Sequence, residues 1–194
     1  MLLLVAIAVV LLLVIGTVWV VHLATHPPSG SLGRALAHCL PTDPGEAGLQ
    51  WHAWTCADME VWTIEGDDAT GPTVVLLHDW AQQPIDLLGD AEHLVTAARA
   101  VVIPTLRGHG PGSGRCTLGR EEVHDVSAVL DTIEGPVALY GTGLGGLIAL
   151  SCADRGEANV TSAWRDTADG LRHVLDQYGM PAFPLLWTGR ICLS

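Results

Sequence analysis

The chain has 194 residues and a net charge of −12, and all nine of its basic residues are arginine. With no basic stripe, nucleic acid is argued against as a partner, and anionic membrane surfaces are disfavoured. The five cysteines are odd in number and widely spaced, so they do not spell a disulfide framework.

Residues 1–21 are almost purely apolar, broken only by Gly16 and Thr17. A helix of that length spans about 30 Å, the thickness of a bilayer's hydrocarbon core. A cleaved leader would carry a basic start and a shorter apolar run. The segment therefore reads as a single-pass anchor whose partner is the lipid bilayer. Trp19 suits the interface at its exit. The positive-inside bias rests on Arg34 alone and leans toward a cytoplasmic domain. Residues 22–50 form a juxtamembrane linker. Pro27-Pro28-Ser29-Gly30 breaks it, and a short helix is predicted near Leu32 to Leu40. His38-Cys39 and His52 with Cys56 lack a paired C-x-x-C, so they read as isolated thiols and surface histidines, not as metal ligands.

Residues 51–194 form the remaining domain. Trp51 to Glu65 predicts one or two antiparallel strands, and Thr73 to Leu77 a strand buried on both faces. Ile85 to Arg99 carries an apolar stripe at helical spacing. Ala100 to Ile103 predicts the next strand, Leu118 to Glu134 an amphipathic helix, and Val137 to Tyr140 another strand. A glycine turn and a helix to about Ala153 follow. Ala158 to Trp164 is a poor strand at best, containing the sequon Asn159-Val160-Thr161. Asp166 to Tyr178 predicts a helix, and Leu185 to Leu193 the start of another. Strands alternating with helices over short connections argue an α/β fold with a mostly parallel sheet.

Three stretches, in order, resemble the α/β-hydrolase superfamily. Gly141-Thr142-Gly143-Leu144-Gly145-Gly146 resembles the G-x-S-x-G nucleophile elbow, with Gly143 at the serine position. His78-Asp79-Trp80 resembles the His-Gly that ends an earlier strand, with Asp79 for the glycine. Arg107-Gly108-His109-Gly110 resembles D-x-R-G-H-G-x-S, with Thr105 for the Asp. The resemblance implies a truncated α/β-hydrolase fold covering the N-terminal half. It assigns oxyanion-type backbone N–H groups to Trp80 and Leu144. His78, Asp79, Arg107, His109 and Thr142 become pocket-lining residues, with His78 read chiefly as a pin for its loop. An Asp79 carboxylate there would oppose negative charge.

In the family the acid and the histidine follow the elbow. Here His173 is the one histidine after it, predicted on a helix, and is not read as a catalytic base. The expectation is a non-catalytic or truncated homologue of a serine ester or peptide hydrolase, needing no cofactor or metal. A sheet ending at the elbow strand would leave an edge open to a protein partner. Two alternatives stand beside it: an active hydrolase completed by a partner chain, and a nucleotide-binding membrane protein. The latter uses Gly141-x-Gly143-x-x-Gly146 as G-x-G-x-x-G, with Asp166 or Asp169 as the distant acid. The ligand itself is not named by the sequence.

Overall fold

The computed structural model describes residues 2–28, 30–110, 114–156 and 160–166. The predicted helices after Asp166, His173 and Asn159 of the sequon lie outside the described residues.

The apolar N-terminus forms helix α1 (Leu2–Thr25). It runs past the expected end at residue 21 because His22 to Thr25 keep the helical ladder. Thr17 and Thr25 donate their hydroxyls to the carbonyls of Leu13 and Val21, both at 2.8 Å, so each hydroxyl is satisfied one turn back along the helix. Pro27 and Pro28 then forbid continuation.

Helix α2 (Ser31–Ala37) ends in a left-handed residue, Cys39 at φ 54°. The Cys39 N–H bonds the Leu36 carbonyl at 3.3 Å and the Leu40 N–H bonds the Ala35 carbonyl at 2.9 Å. That pair of bonds is a Schellman closure made without glycine.

Strands β1 (Trp51–Cys56) and β2 (Met59–Glu65) pair as an antiparallel hairpin. Its two-residue turn, Ala57-Asp58, has both residues at positive φ, 48° and 62°. Strand β3 (Thr73–Leu77) is buried along its whole length. A 3₁₀ turn at Pro84–Leu87, helix α3 (Leu88–Leu94) and a second 3₁₀ turn at Val95–Ala97 replace the single helix expected over Ile85 to Arg99. The carbonyls of Val95 and Ala98 are taken by the N–H groups of Asp67 and Asp68, so they cannot extend a helical ladder.

Strand β4 (Ala100–Pro104) leads to helix α4 (Glu122–Leu130), much shorter than Leu118 to Glu134. Glu122 explains the late start. Fully buried, it accepts from the Thr117 N–H at 2.5 Å, the Thr117 hydroxyl and the Gly119 N–H at 2.9 Å. Leu118 and Gly119 sit at φ 57° and 98°, outside the helical region.

Strand β5 (Val137–Thr142), helix α5 (Gly143–Asp154) and strand β6 (Val160–Asp166) follow. The sheet runs β1-β2-β4-β3-β5-β6. Its β4–β3, β3–β5 and β5–β6 pairings are parallel. The poor strand expected over Ala158 to Trp164 is thus a real one from Val160 to Asp166. The edge expected to lie open at β5 is paired by β6, which corrects the reason for a partner there.

Two apolar clusters flank the sheet. Val75, Leu77, Val102 and Leu139 face Val126, Leu130, Ile148 and Cys152 of α4 and α5. Val74, Leu76, Val101 and Ile103 face Leu87, Ala91 and Val95 on the other side. Alternate residues of β3 serve opposite faces, as the period of two requires. The burial fixes register, and register sets where the ends of β3, β4 and β5 fall.

Candidate active site

The carboxyl ends of β3 and β5 lie side by side, with Leu77 opposite Gly141. The chain leaves β5 through a sharp turn into α5. Gly143 opens the helix at φ 48°, the left-handed conformation an elbow residue adopts. The flanking glycines are required by distance. A Cβ on Gly141 would lie 2.3 Å from the Gly145 carbonyl carbon, and one on Gly145 would lie 2.1 Å from the Leu77 oxygen. Strand and helix approach this closely only without side chains.

Into this corner projects Asp79, from the loop after β3. It is 6% exposed. Its Oδ1 accepts from the Trp80 N–H and the Leu144 N–H, each at 2.7 Å. The two backbone donors that the sequence assigns to an oxyanion-type site converge on one point, and that point is a carboxylate oxygen of the same chain. A Cβ built on Gly143 would lie 2.0 to 2.2 Å from the Asp79 carboxylate atoms. Asp79 therefore takes both the donors and the volume of a nucleophile side chain. The positive end of α5 adds to the attraction.

The loop is held from several sides. The Gln82 Oε1 accepts from the Asp79 N–H at 3.0 Å and from the Thr142 hydroxyl at 3.5 Å. Gln83 donates its side-chain amide to the His109 carbonyl at 2.8 Å, and its N–H to the Asp86 carboxylate at 2.9 Å. Neither glutamine carried a sequence signal, since hydrogen bonds of this kind depend on loop shape.

His78 is fully buried and lines no opening. Its Nδ1 lies 3.0 Å from the Asp79 carbonyl, and its Nε2 accepts the Leu106 N–H at 3.0 Å. An Nε2 that accepts leaves the proton on Nδ1. The ring thus bridges the β3 loop to the β4 loop, as the reading of a loop pin has it. Burial, with the neighbouring His109, pushes its pKa down to about 3.

His109 packs edge-to-face on His78, with ring centroids 4.8 Å apart. Its Nδ1 lies 3.0 Å from the Arg107 carbonyl. Its Nε2 is buried with no hydrogen-bond partner among the described residues. Burial pushes its pKa down as well.

Arg107 holds Asp125 of α4 through two bonds of 2.7 Å, from Nε and Nη2. It braces the loop against α4. Asp125 is nearly buried while Arg107 is a third exposed, so solvent screens part of the pair. Arg107→Ala is expected to cost about 2 kcal/mol in chemical denaturation, and Arg107→Lys to recover only part of it because the two-pronged geometry is lost.

The same rim touches the apolar helix. The Trp80 indole N–H donates to the Ala24 carbonyl at 3.0 Å, and the Cys116 N–H donates to the Thr25 carbonyl at 3.1 Å. Ser31 donates to Asp86, and Arg34 lies 3.5 Å from the same carboxylate. An open cleft of about 480 Å³ lies elsewhere, at the amino ends of β3 and β4 between Trp54, Arg99 and Ile133, away from the elbow.

The β3–β5–β6 order, the left-handed turn and the residue pattern agree with the family model for "Alpha/beta hydrolase family", which matches residues 74–191. This chain belongs to the α/β-hydrolase family. No curated protein matches the sequence closely. Among solved structures it is similar to a membrane phospholipase A described as a bacterial virulence factor, at 23% identity and TM-score 0.52, covering 82% of this chain and 50% of that one. It is also similar to an α/β hydrolase from Novosphingobium aromaticivorans, at 24% identity and TM-score 0.51, covering 68% and 50%. An epoxide hydrolase from Vigna radiata matches at 17% identity and TM-score 0.50, covering 60% and 38%. The chain spans half the length, or less, of these structures, and at such identities the likeness is one of fold.

The dinucleotide reading fares unevenly. Its missing second strand is present as β6, ending at Asp166, 20 residues after Gly146. The helix N-terminus that a pyrophosphate would need already carries a carboxylate, on the Leu144 N–H.

Proposed function

We propose that this chain is a membrane-anchored α/β-hydrolase-fold protein that is non-catalytic at its elbow and acts by binding or scaffolding. Its anchor is α1, the one helix among the described residues long and apolar enough to cross a membrane. The observation that carries the reading is Asp79. Losing the serine alone removes orders of magnitude in rate. What residual catalysis such a site keeps comes from its backbone donors. Here those donors are spent on an internal anion, which repels the negative charge that acyl transfer develops at that point.

A fluorophosphonate probe tests this on the full chain in detergent, beside an active serine hydrolase as positive control. The expected result is no covalent label on this chain at probe concentrations that saturate the control. Stoichiometric labelling would overturn the proposal, whether this chain acted alone or was completed by a second one. Dinucleotide binding at the turn is disfavoured on charge, and equilibrium dialysis with a dinucleotide is expected to show no retention.

A further inference from the structure

We infer that α2 and the Leu118 turn form a membrane-surface contact that seats the elbow end of the sheet against the bilayer. The inference rests on the reading of α1 as a membrane span. Helix α2 buries Ser31 and Ala35 and turns Leu32 and Leu36 outward, at 51% and 62% exposure. These two leucines are four residues apart and share one face of the helix. Leu40, delivered by the Schellman turn, is 56% exposed, and Leu118 is 55% exposed. Elsewhere on the described domain Leu147 is the one other large apolar side chain so exposed.

The occupant of this surface follows from its position. Between the end of α1 at Thr25 and the start of α2 at Ser31 lie five residues, six Cα steps with a reach of at most about 22 Å. The connection is not slack. Ser31 and Arg34 tie α2 to Asp86, while Trp80 and the Cys116 N–H hold the last carbonyls of α1. Leu118 is two residues from that Cys116 contact. An apolar face clamped this close to the mouth of an apolar span meets the interfacial layer of the same bilayer, where an amphipathic helix gains by burying leucine. The overall charge of −12 makes a zwitterionic surface the fitting one. The elbow corner, whose Trp80 is itself one of the clamps, then sits at the membrane surface.

Benzophenone side chains introduced singly by stop-codon suppression test this without altering the cysteines. The full chain is placed in phosphatidylcholine nanodiscs and irradiated, and lipid adducts are read by mass spectrometry. Probes go at Val10 in α1, at Leu32, Leu36, Leu40 and Leu118, and at the exposed Glu46 and His124 as water-facing controls. Adducts at Val10, Leu32, Leu36, Leu40 and Leu118, with none above background at Glu46 and His124, are expected. Adducts at Val10 alone would overturn the surface contact while leaving the span intact. An absence of adducts at Val10 would overturn both.

Discussion

His78→Ala is expected to lower the stability of the folded domain by about 3 kcal/mol, the sum of one orphaned N–H group and a cavity. The ring joins the Asp79 carbonyl to the Leu106 N–H inside a site with no exposure to water. Removing it leaves the Leu106 N–H buried and unpaired, at about 1–3 kcal/mol, while the Asp79 carbonyl keeps the Gln82 N–H at 3.1 Å. The same residue sets a pH dependence with a definite sign. Its pKa falls from 6.5 in the unfolded chain to about 3 in the folded one. The unfolded state therefore takes up a proton below pH 6.5 that the folded state refuses. Its contribution is complete above that pH and is lost as pH falls from 6.5 toward 3. Between pH 6.5 and 5 this one group removes about 2 kcal/mol. His109, also pushed down by burial, adds in the same direction. Chemical denaturation of the full chain at several pH values reads the slope directly. His78→Asn should flatten it by about one proton; an unchanged slope in that variant would mean that the imidazole is not held neutral.

The order of the elements was legible because the sheet is buried on both faces. Thr73 to Leu77 and Ala100 to Ile103 are continuous apolar runs, and such runs have few other uses in a chain of this size. Helix ends were not legible. Leu118 to Glu134 has helical spacing throughout, yet at its start the N–H groups of Thr117 and Gly119 bond the Glu122 carboxylate. Ala57-Asp58 makes a two-residue hairpin turn without the asparagine or glycine that would announce one. Ala158 to Trp164 reads poorly as a strand in isolation. Val160–Asp166 is a strand because β5 offers it a row of backbone partners, and pairing outweighs propensity.

The site shows the same division. The glycines of the elbow could be read as spacers from their pattern, and the distances that forbid a Cβ bear out the reason. That an Asp79 carboxylate would oppose an oxyanion was also readable. That it would occupy the donors itself was not, because the contact joins residues 65 apart in sequence. The clamp on α1 is a tertiary fact of the same kind. Trp80 looked like a backbone donor only, and its indole serves a second partner 56 residues away.

Restoring the missing serine alone should fail, and the failure has a measurable form. Gly143→Ser places a Cβ where the Asp79 carboxylate stands, 2.0 to 2.2 Å from its atoms, at φ 48°, where an L residue is already strained. Either the carboxylate is driven off its two N–H donors or the turn shifts, and a cost of about 3 kcal/mol is expected. Asp79→Gly should cost less, about 1–2 kcal/mol, because water or a solution anion can reach the vacated donors. If the two groups compete for one space, the losses cannot add. The double variant Asp79→Gly with Gly143→Ser should recover about 1–3 kcal/mol relative to their sum, since removing the carboxylate opens the volume the serine needs. A double-mutant cycle by chemical denaturation measures that coupling energy. Simple additivity would show that the carboxylate does not fill the nucleophile's place, and the account of the silent elbow would fall with it.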